Sequence, residues 1–259
     1  MDRAGRSRVL ALVLAALFAL SPILFDWGLH LVDMPSARYA ALFPVLYLIG
    51  LLRDKNDRIR NDGYWILAVA LIIVILSVGG GYTRWGRIAV PIAAVALARL
   101  CGYGTTRGAL TMFWFVPLPH FLDLVVWPEL LLFYTSLVPG LDVGLEPTNL
   151  AIRSSDGLIL RISQGSAGLA LMASLSGVRY FVGWQQQESL GRTFSRMIVW
   201  GLAALPIQCI SIVLALLLLK SGSPGAAAAC LYSTIWIVSI GLLLISVHPP
   251  LWHTRLRKA

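Results

Sequence analysis

Apolar runs of about 20 residues recur along this chain, and that recurrence limits the fold more than any other feature. The runs at 197–219, "MIVWGLAALPIQCISIVLALLLL", and 226–247, "AAAACLYSTIWIVSIGLLLISV", contain no Asp, Glu, His, Lys or Arg. A run of that length crosses a hydrocarbon core of roughly 30 Å as a helix. Only helices and closed barrels satisfy their backbone in lipid, and these runs lack the period-two alternation of barrel strands. The whole chain is 58% hydrophobic and 13% charged, where a soluble domain carries about 25% charged residues. The sequence therefore predicts an all-α polytopic membrane protein, a single transmembrane domain over residues 1–259.

Eight spans are expected, at 9–26, 39–53, 63–80, 87–104, 108–125, 166–183, 197–219 and 226–247. Arg3, Arg6 and Arg8 precede the first run like the n-region of a signal peptide. No clear small-x-small cleavage site follows, so this helix is expected to be retained. An inside N-terminus gives the cytoplasmic side Arg3, Arg6, Arg8, Arg53, Lys55, Arg58, Arg60, Arg99, Arg107, Arg179, Arg192, Arg196, Arg255, Arg257 and Lys258. The outer side receives Arg38, Arg84, Arg87, Arg153, Arg161 and Lys220. That asymmetry satisfies the positive-inside bias and puts both termini in the cytoplasm. The net charge of +9 is thereby read as loop anchoring, and no nucleic-acid partner is expected.

One segment does not suit lipid. Residues 117–165 begin "PLPHFLDLVVWPELLLFY", with Trp127, Glu129, Phe133 and Tyr134, which reads as a helix lying in the outer interface. They continue through "NLAIRSSDGLILRIS", where Asp156-Gly157 between alternating apolar residues signals a β-hairpin. A small extracytoplasmic cap follows: one interfacial helix plus a hairpin.

The chemistry available is sparse. Cys101, Cys209 and Cys230 lie in or beside apolar runs without CxxC pairing, so buried thiols are expected and no disulfide framework. No HExxH or other ligand spacing exists, and neither a metal nor another cofactor is expected. His248 and His253 flank the basic tail. His120 lies near Asp123, an arrangement open to a base and its orienter, although i,i+3 polar pairs are ordinary on an interfacial helix. Gln208, Ser211, Tyr232, Ser233 and Thr234 are expected to serve as interhelical hydrogen-bond partners. Ser166, in "ISQGSAGLA" at 162–170, suits a helix N-cap, since nothing in the last two spans supplies it with a base. The absence of buried charge and of inverted-repeat signals argues against transport.

Four stretches in order carry a resemblance: "SARYAALFPVLYLIGLLRDK" at 36–55, "FWFVPLP" at 113–119, "NLAIRSSDGLILRIS" at 149–163 and "QGSAGLALMASL" at 164–175. Their collinearity over roughly residues 10–245 resembles the exosortase/archaeosortase family of polytopic membrane proteins. That resemblance implies a sorting enzyme that cleaves a Pro-Glu-Pro-type anchor by cysteine transpeptidase chemistry, using a Cys, an Arg and a His at the outer face. The family's Cys position falls on Ser166, its Arg on Ser211, and its His around Leu231-Tyr232. All three groups are missing. Losing the cation and the imidazole together removes oxyanion stabilisation and the proton carrier, each worth about 10²–10⁴ in rate. The resemblance therefore implies a catalytically dead member of an inner membrane. Such a protein would act as a scaffold or accessory subunit, meeting lipids and a membrane-protein partner through the 117–165 cap or its lipid-facing helices. The enzyme alternative keeps Ser166 as a nucleophile with His120 as its base.

Overall fold

The computed structural model describes residues 3–33, 35–53, 60–102, 106–116, 129, 132–133, 135–145, 149–163 and 169–247. The protein is mostly helical with one small sheet. Its chain divides into two compact units, Met1–Val116 and Pro117–Ala259.

The first unit contains α1 (Arg3–Asp33), a 3-10 stretch (Pro35–Ala41), α2 (Leu42–Arg53), α3 (Gly63–Gly79), α4 (Thr83–Gly86), α5 (Ala89–Cys101), α6 (Thr106–Ala109) and a second 3-10 stretch (Leu110–Phe115). Leu20 and Ile23 of α1, Ala70 and Val74 of α3, and Ala89, Val90 and Ala93 of α5 close one core with Met112 and Phe115. Small residues let these helices approach. A Cβ on Gly63 would stand 2.6 Å from Leu100 Cγ, and one on Gly86 would stand 2.4 Å from Ile23 Cδ1. Trp27 stacks on Phe115 with ring centroids 4.2 Å apart and donates its Nε1 proton to the Phe115 carbonyl at 3.0 Å. Arg38 donates to the carbonyls of Leu31 and Val32, capping the end of α1, which suits a cation because the last carbonyls of a helix lack intrahelical donors.

The second unit contains β1 (Leu141–Leu145), β2 (Asn149–Ser154), β3 (Ile159–Ser163), α7 (Leu169–Gln185), α8 (Leu190–Lys220) and α9 (Pro224–Val247). The strands form an antiparallel meander in the order β1-β2-β3. The expected hairpin is β2-β3. Ser154 accepts from the Gly157 amide and donates to the Leu158 carbonyl, both at 2.9 Å, while Gly157 takes φ +78°, the left-handed conformation a three-residue hairpin loop needs. Strand β1 extends the hairpin into a sheet that the sequence reading did not anticipate. Ile152, Leu160 and Ile162 face the helices and close a core with Ile212, Ala215, Leu216 and Leu219 of α8 and Ala227 and Leu231 of α9. The sheet thus seats on the end where α8 turns into α9, and Lys220 donates to the Pro139 carbonyl at 3.0 Å.

Among the described residues, three helices are long and apolar enough to cross a membrane: Leu10–Asp33, Leu190–Lys220 and Pro224–Ser246. That is fewer than the eight expected. The span expected at 63–80 forms a helix of 17 residues and the one at 87–104 a helix of 13. At 108–125 the described part is a helical turn followed by 3-10 structure up to Phe115. At 39–53, 3-10 backbone precedes a helix of 12 residues. The expected interfacial helix falls largely outside the described residues. Trp114, just before that segment, packs on Phe43 with ring centroids 6.3 Å apart within the first unit.

Candidate functional site

Ser211 sits on the buried side of α8 with Gln208 and Ile212. Its Oγ lies 2.7 Å from Thr234 Oγ1 of α9. Thr234 in turn donates to the Cys230 carbonyl one turn back, also at 2.7 Å, so the proton between the two hydroxyls belongs to Ser211. Cys230 Sγ closes the loop 3.9 Å from the Ser211 carbonyl. Each polar atom in this knot is engaged, as expected of interhelical partners in an apolar setting.

Tyr232 is not part of it. Two residues along a helix turn the side chain by about 200°, which aims Tyr232 away from the face that carries Thr234. Its hydroxyl donates to the Arg161 carbonyl at 3.3 Å, tying α9 to strand β3. The structure therefore does not bring Ser211 and Tyr232 together. Arg161 meets Tyr232 through its backbone carbonyl, and strand alternation puts its side chain on the face opposite Leu160 and Ile162, which pack on α8 and α9. His120, Asp123 and Ser166 lie outside the described residues, as do His248 and His253.

A second hydroxyl pair joins α7 to α9, with Ser174 and Ser239 oxygens 2.7 Å apart and fully buried. Cys101 is buried, Cys209 and Cys230 are half-buried, and all three are free thiols. Among the described residues, no group of three His, Cys, Asp or Glu side chains converges.

Buried charge is present, contrary to the sequence expectation, and was concealed because each pair joins residues distant along the chain or across a turn. In the second unit, Arg179 of α7 pairs with Glu188 at 2.5 Å, Arg196 of α8 pairs with the other oxygen of the same carboxylate, and the Arg179 guanidinium lies 5.7 Å from the Trp200 ring centre. In the first unit, Arg87 donates to Asp26 at 2.7 Å, with Thr83 as a further hydrogen-bond partner of that carboxylate. A charge desolvated among helices persists only when paired, and both arginines meet that condition.

The construction of the helices defines the class. The inward side of α8 mixes small or hydroxyl residues, Gly201, Ala204, Ser211 and Ala215, with Ile212, Leu216 and Leu219, whereas Ile198, Val199, Leu202, Ile210 and Leu214 of the same helix are exposed. A row of exposed large apolar residues along a helix long enough to cross a bilayer is an arrangement that lipid tolerates and water does not. This is a helical membrane protein. Compared with known family models, curated proteins and solved structures, the chain matches none.

Proposed function

We propose that the chain is a non-catalytic, exosortase-like integral membrane protein that serves as a scaffold or accessory subunit of a membrane complex. The observation that supports this reading is the hydroxyl knot of Ser211, Thr234 and Cys230. The position that the resemblance gives to a guanidinium holds a serine whose proton is committed to Thr234. Tyr232, at the histidine position, is committed to the β3 backbone. An apolar helix pair stitched by neutral hydroxyls is stable without turnover, and the knot of Ser211, Thr234 and Cys230 itself contains neither a guanidinium nor an imidazole.

On this reading the chain crosses the cytoplasmic membrane of a prokaryote eight times, with both termini inside and the segment 117–165 outside. Shorter helices such as α3 and α5 then complete the span count by tilting little or drawing the bilayer locally thin. The partner is a membrane protein that docks on the cap or on the lipid-facing helices.

The test is purification in mild detergent followed by mass spectrometry of co-purifying proteins, with a fluorophosphonate probe on the same sample. Expected are a stoichiometric membrane partner and no labelling of folded protein. Labelling that disappears in Ser166→Ala would overturn the reading in favour of a serine peptidase. A clean, folded monomer with no companion would overturn the scaffold role.

A further inference from the structure

Helix α3 is built inside out. Gly63, Ala70, Val74 and Ser77 form its buried side, while Trp65, Val69, Ile72 and Leu76 line the opposite side, with Trp65 80% exposed. The exposed positions recur at the 3.6-residue period, so they make one continuous apolar stripe along the helix. At 1.5 Å per residue the helix is about 25 Å long, close to a hydrocarbon core.

Both ends of this stripe carry the same set of groups. At the start, Tyr64 and Trp65 are exposed, and Asp62 is held between Arg99 at 2.7 Å and Arg60 at 3.4 Å. At the other end, Tyr82 and Trp85 are exposed. There Asp26 is bonded by Arg87 at 2.7 Å, with Arg84 acting on it electrostatically. Among the described residues, each end thus combines two exposed aromatics with two guanidiniums and one carboxylate, which leaves one surplus positive charge. Exposed aromatics at the two limits of an apolar stripe belong at the two membrane interfaces, and the group found there that complements a surplus cation is a phosphodiester.

We propose that the two ends of α3 are headgroup sites for anionic phospholipids, one in each leaflet, at which Arg60 and Arg84 meet the lipid phosphate and the neighbouring aromatics lie at the glycerol level. The proposal rests on the chain being a membrane protein, and it is independent of any scaffold role. Arg60 and Arg84 are the contacts because they are solvent-exposed, whereas Arg87 is buried in its pair with Asp26.

The test uses the full chain reconstituted in phosphatidylcholine vesicles containing trace spin-labelled phosphatidylglycerol or spin-labelled phosphatidylcholine. The wild type is expected to hold phosphatidylglycerol in preference to phosphatidylcholine in the motionally restricted shell. That preference should fall about fivefold for each site lost in Arg60→Gln and Arg84→Gln, the effect of one basic side chain at an anionic surface. Inorganic phosphate at millimolar concentration should leave it unchanged; competition by free phosphate would overturn a lipid site in favour of a simple anion site. Restricted lipid without headgroup preference, or a preference indifferent to both substitutions, would overturn the proposal while leaving the membrane reading intact. No restricted lipid at all would overturn both. A second measurement needs no lipid label. In a variant with Cys101, Cys209 and Cys230 changed to Ala, an impermeant maleimide added outside intact vesicles should reach only one of Trp65→Cys and Trp85→Cys. Reaction of both from the same side would overturn the placement.

Discussion

Arg179 and Glu188 form an ion pair 2.5 Å long at the α7–α8 turn, with side chains only 3% and 9% exposed. Arg196, which shares the carboxylate, is 51% exposed. The two arginines therefore hold the same acid under different dielectric conditions. Glu188→Ala leaves the Arg179 charge buried and unpaired, and the expected loss of stability is about 3–5 kcal/mol. Arg196→Ala removes a screened surface pair and should cost about 1 kcal/mol or less. Thermal unfolding in detergent gives both; equal midpoints for the two variants would contradict the burial.

Gln187 is the one described non-glycine residue with positive φ, at +53°. It closes α7, with its amide bonded to the Trp184 carbonyl and the Glu188 amide to that of Gly183, both at 3.0 Å. A left-handed residue at this place is ordinarily glycine. Gln187→Gly should raise stability by about 0.5–1 kcal/mol, after the greater entropy that glycine loses on folding is set against the steric relief. Gln187→Val should lower it. Chemical denaturation of the three proteins side by side tests the sign.

A Cβ on Gly183 would lie 2.7 Å from Thr193 Oγ1 and 2.8 Å from its Cγ2. Gly183→Ala should cost about 1–3 kcal/mol through overpacking. Adding Thr193→Ala should recover part of that loss, although it sacrifices the Thr193 hydrogen bond to the Ser189 carbonyl at 3.1 Å. An additive double variant would mean that α7 and α8 do not meet at this point.

Ser174 and Ser239 donate and accept only within a buried seam. A double-mutant cycle with Ser174→Ala and Ser239→Ala should yield a coupling of about 0.6 kcal/mol and no more than roughly 1.7, the range for hydroxyl pairs in helical membrane proteins. A coupling of zero in refolding from mixed micelles would remove this pair from the contacts that hold α7 to α9.

What could be read in advance follows from the range of the interactions. The β2-β3 hairpin was visible because Asp156-Gly157 is a local signal between alternating apolar residues. The helices of the second unit were visible as long apolar runs, with α8 extending further toward its start than the hydropathy of 197–219 suggested. Strand β1 was hidden, since Gly140, Gly144 and Pro147 make that stretch look like connection in the sequence. The ion pairs were hidden for a related reason: Asp26 and Arg87 are 61 residues apart, and no local pattern joins them. At the candidate site, the interhelical use of Ser211 and Thr234 was foreseeable from hydroxyls in otherwise apolar helices. The divergence of Tyr232 toward β3 depends on where the sheet docks, which the sequence does not encode locally.

The inverted placement of bulk in α3, and the small residues on the inward side of α8, bear on how this chain can change. On the outward side, Ile, Leu, Val and Phe exchange at little cost, because fluid acyl tails adapt to any of their shapes. On the inward side, positions such as Gly63, Gly86, Gly183 and Gly201 face backbone or side-chain atoms 2.4–2.9 Å from where a methyl would stand. The tolerance of the chain is therefore opposite to that of a water-soluble protein, and it is the least bulky residues that fix which helices can lie beside one another.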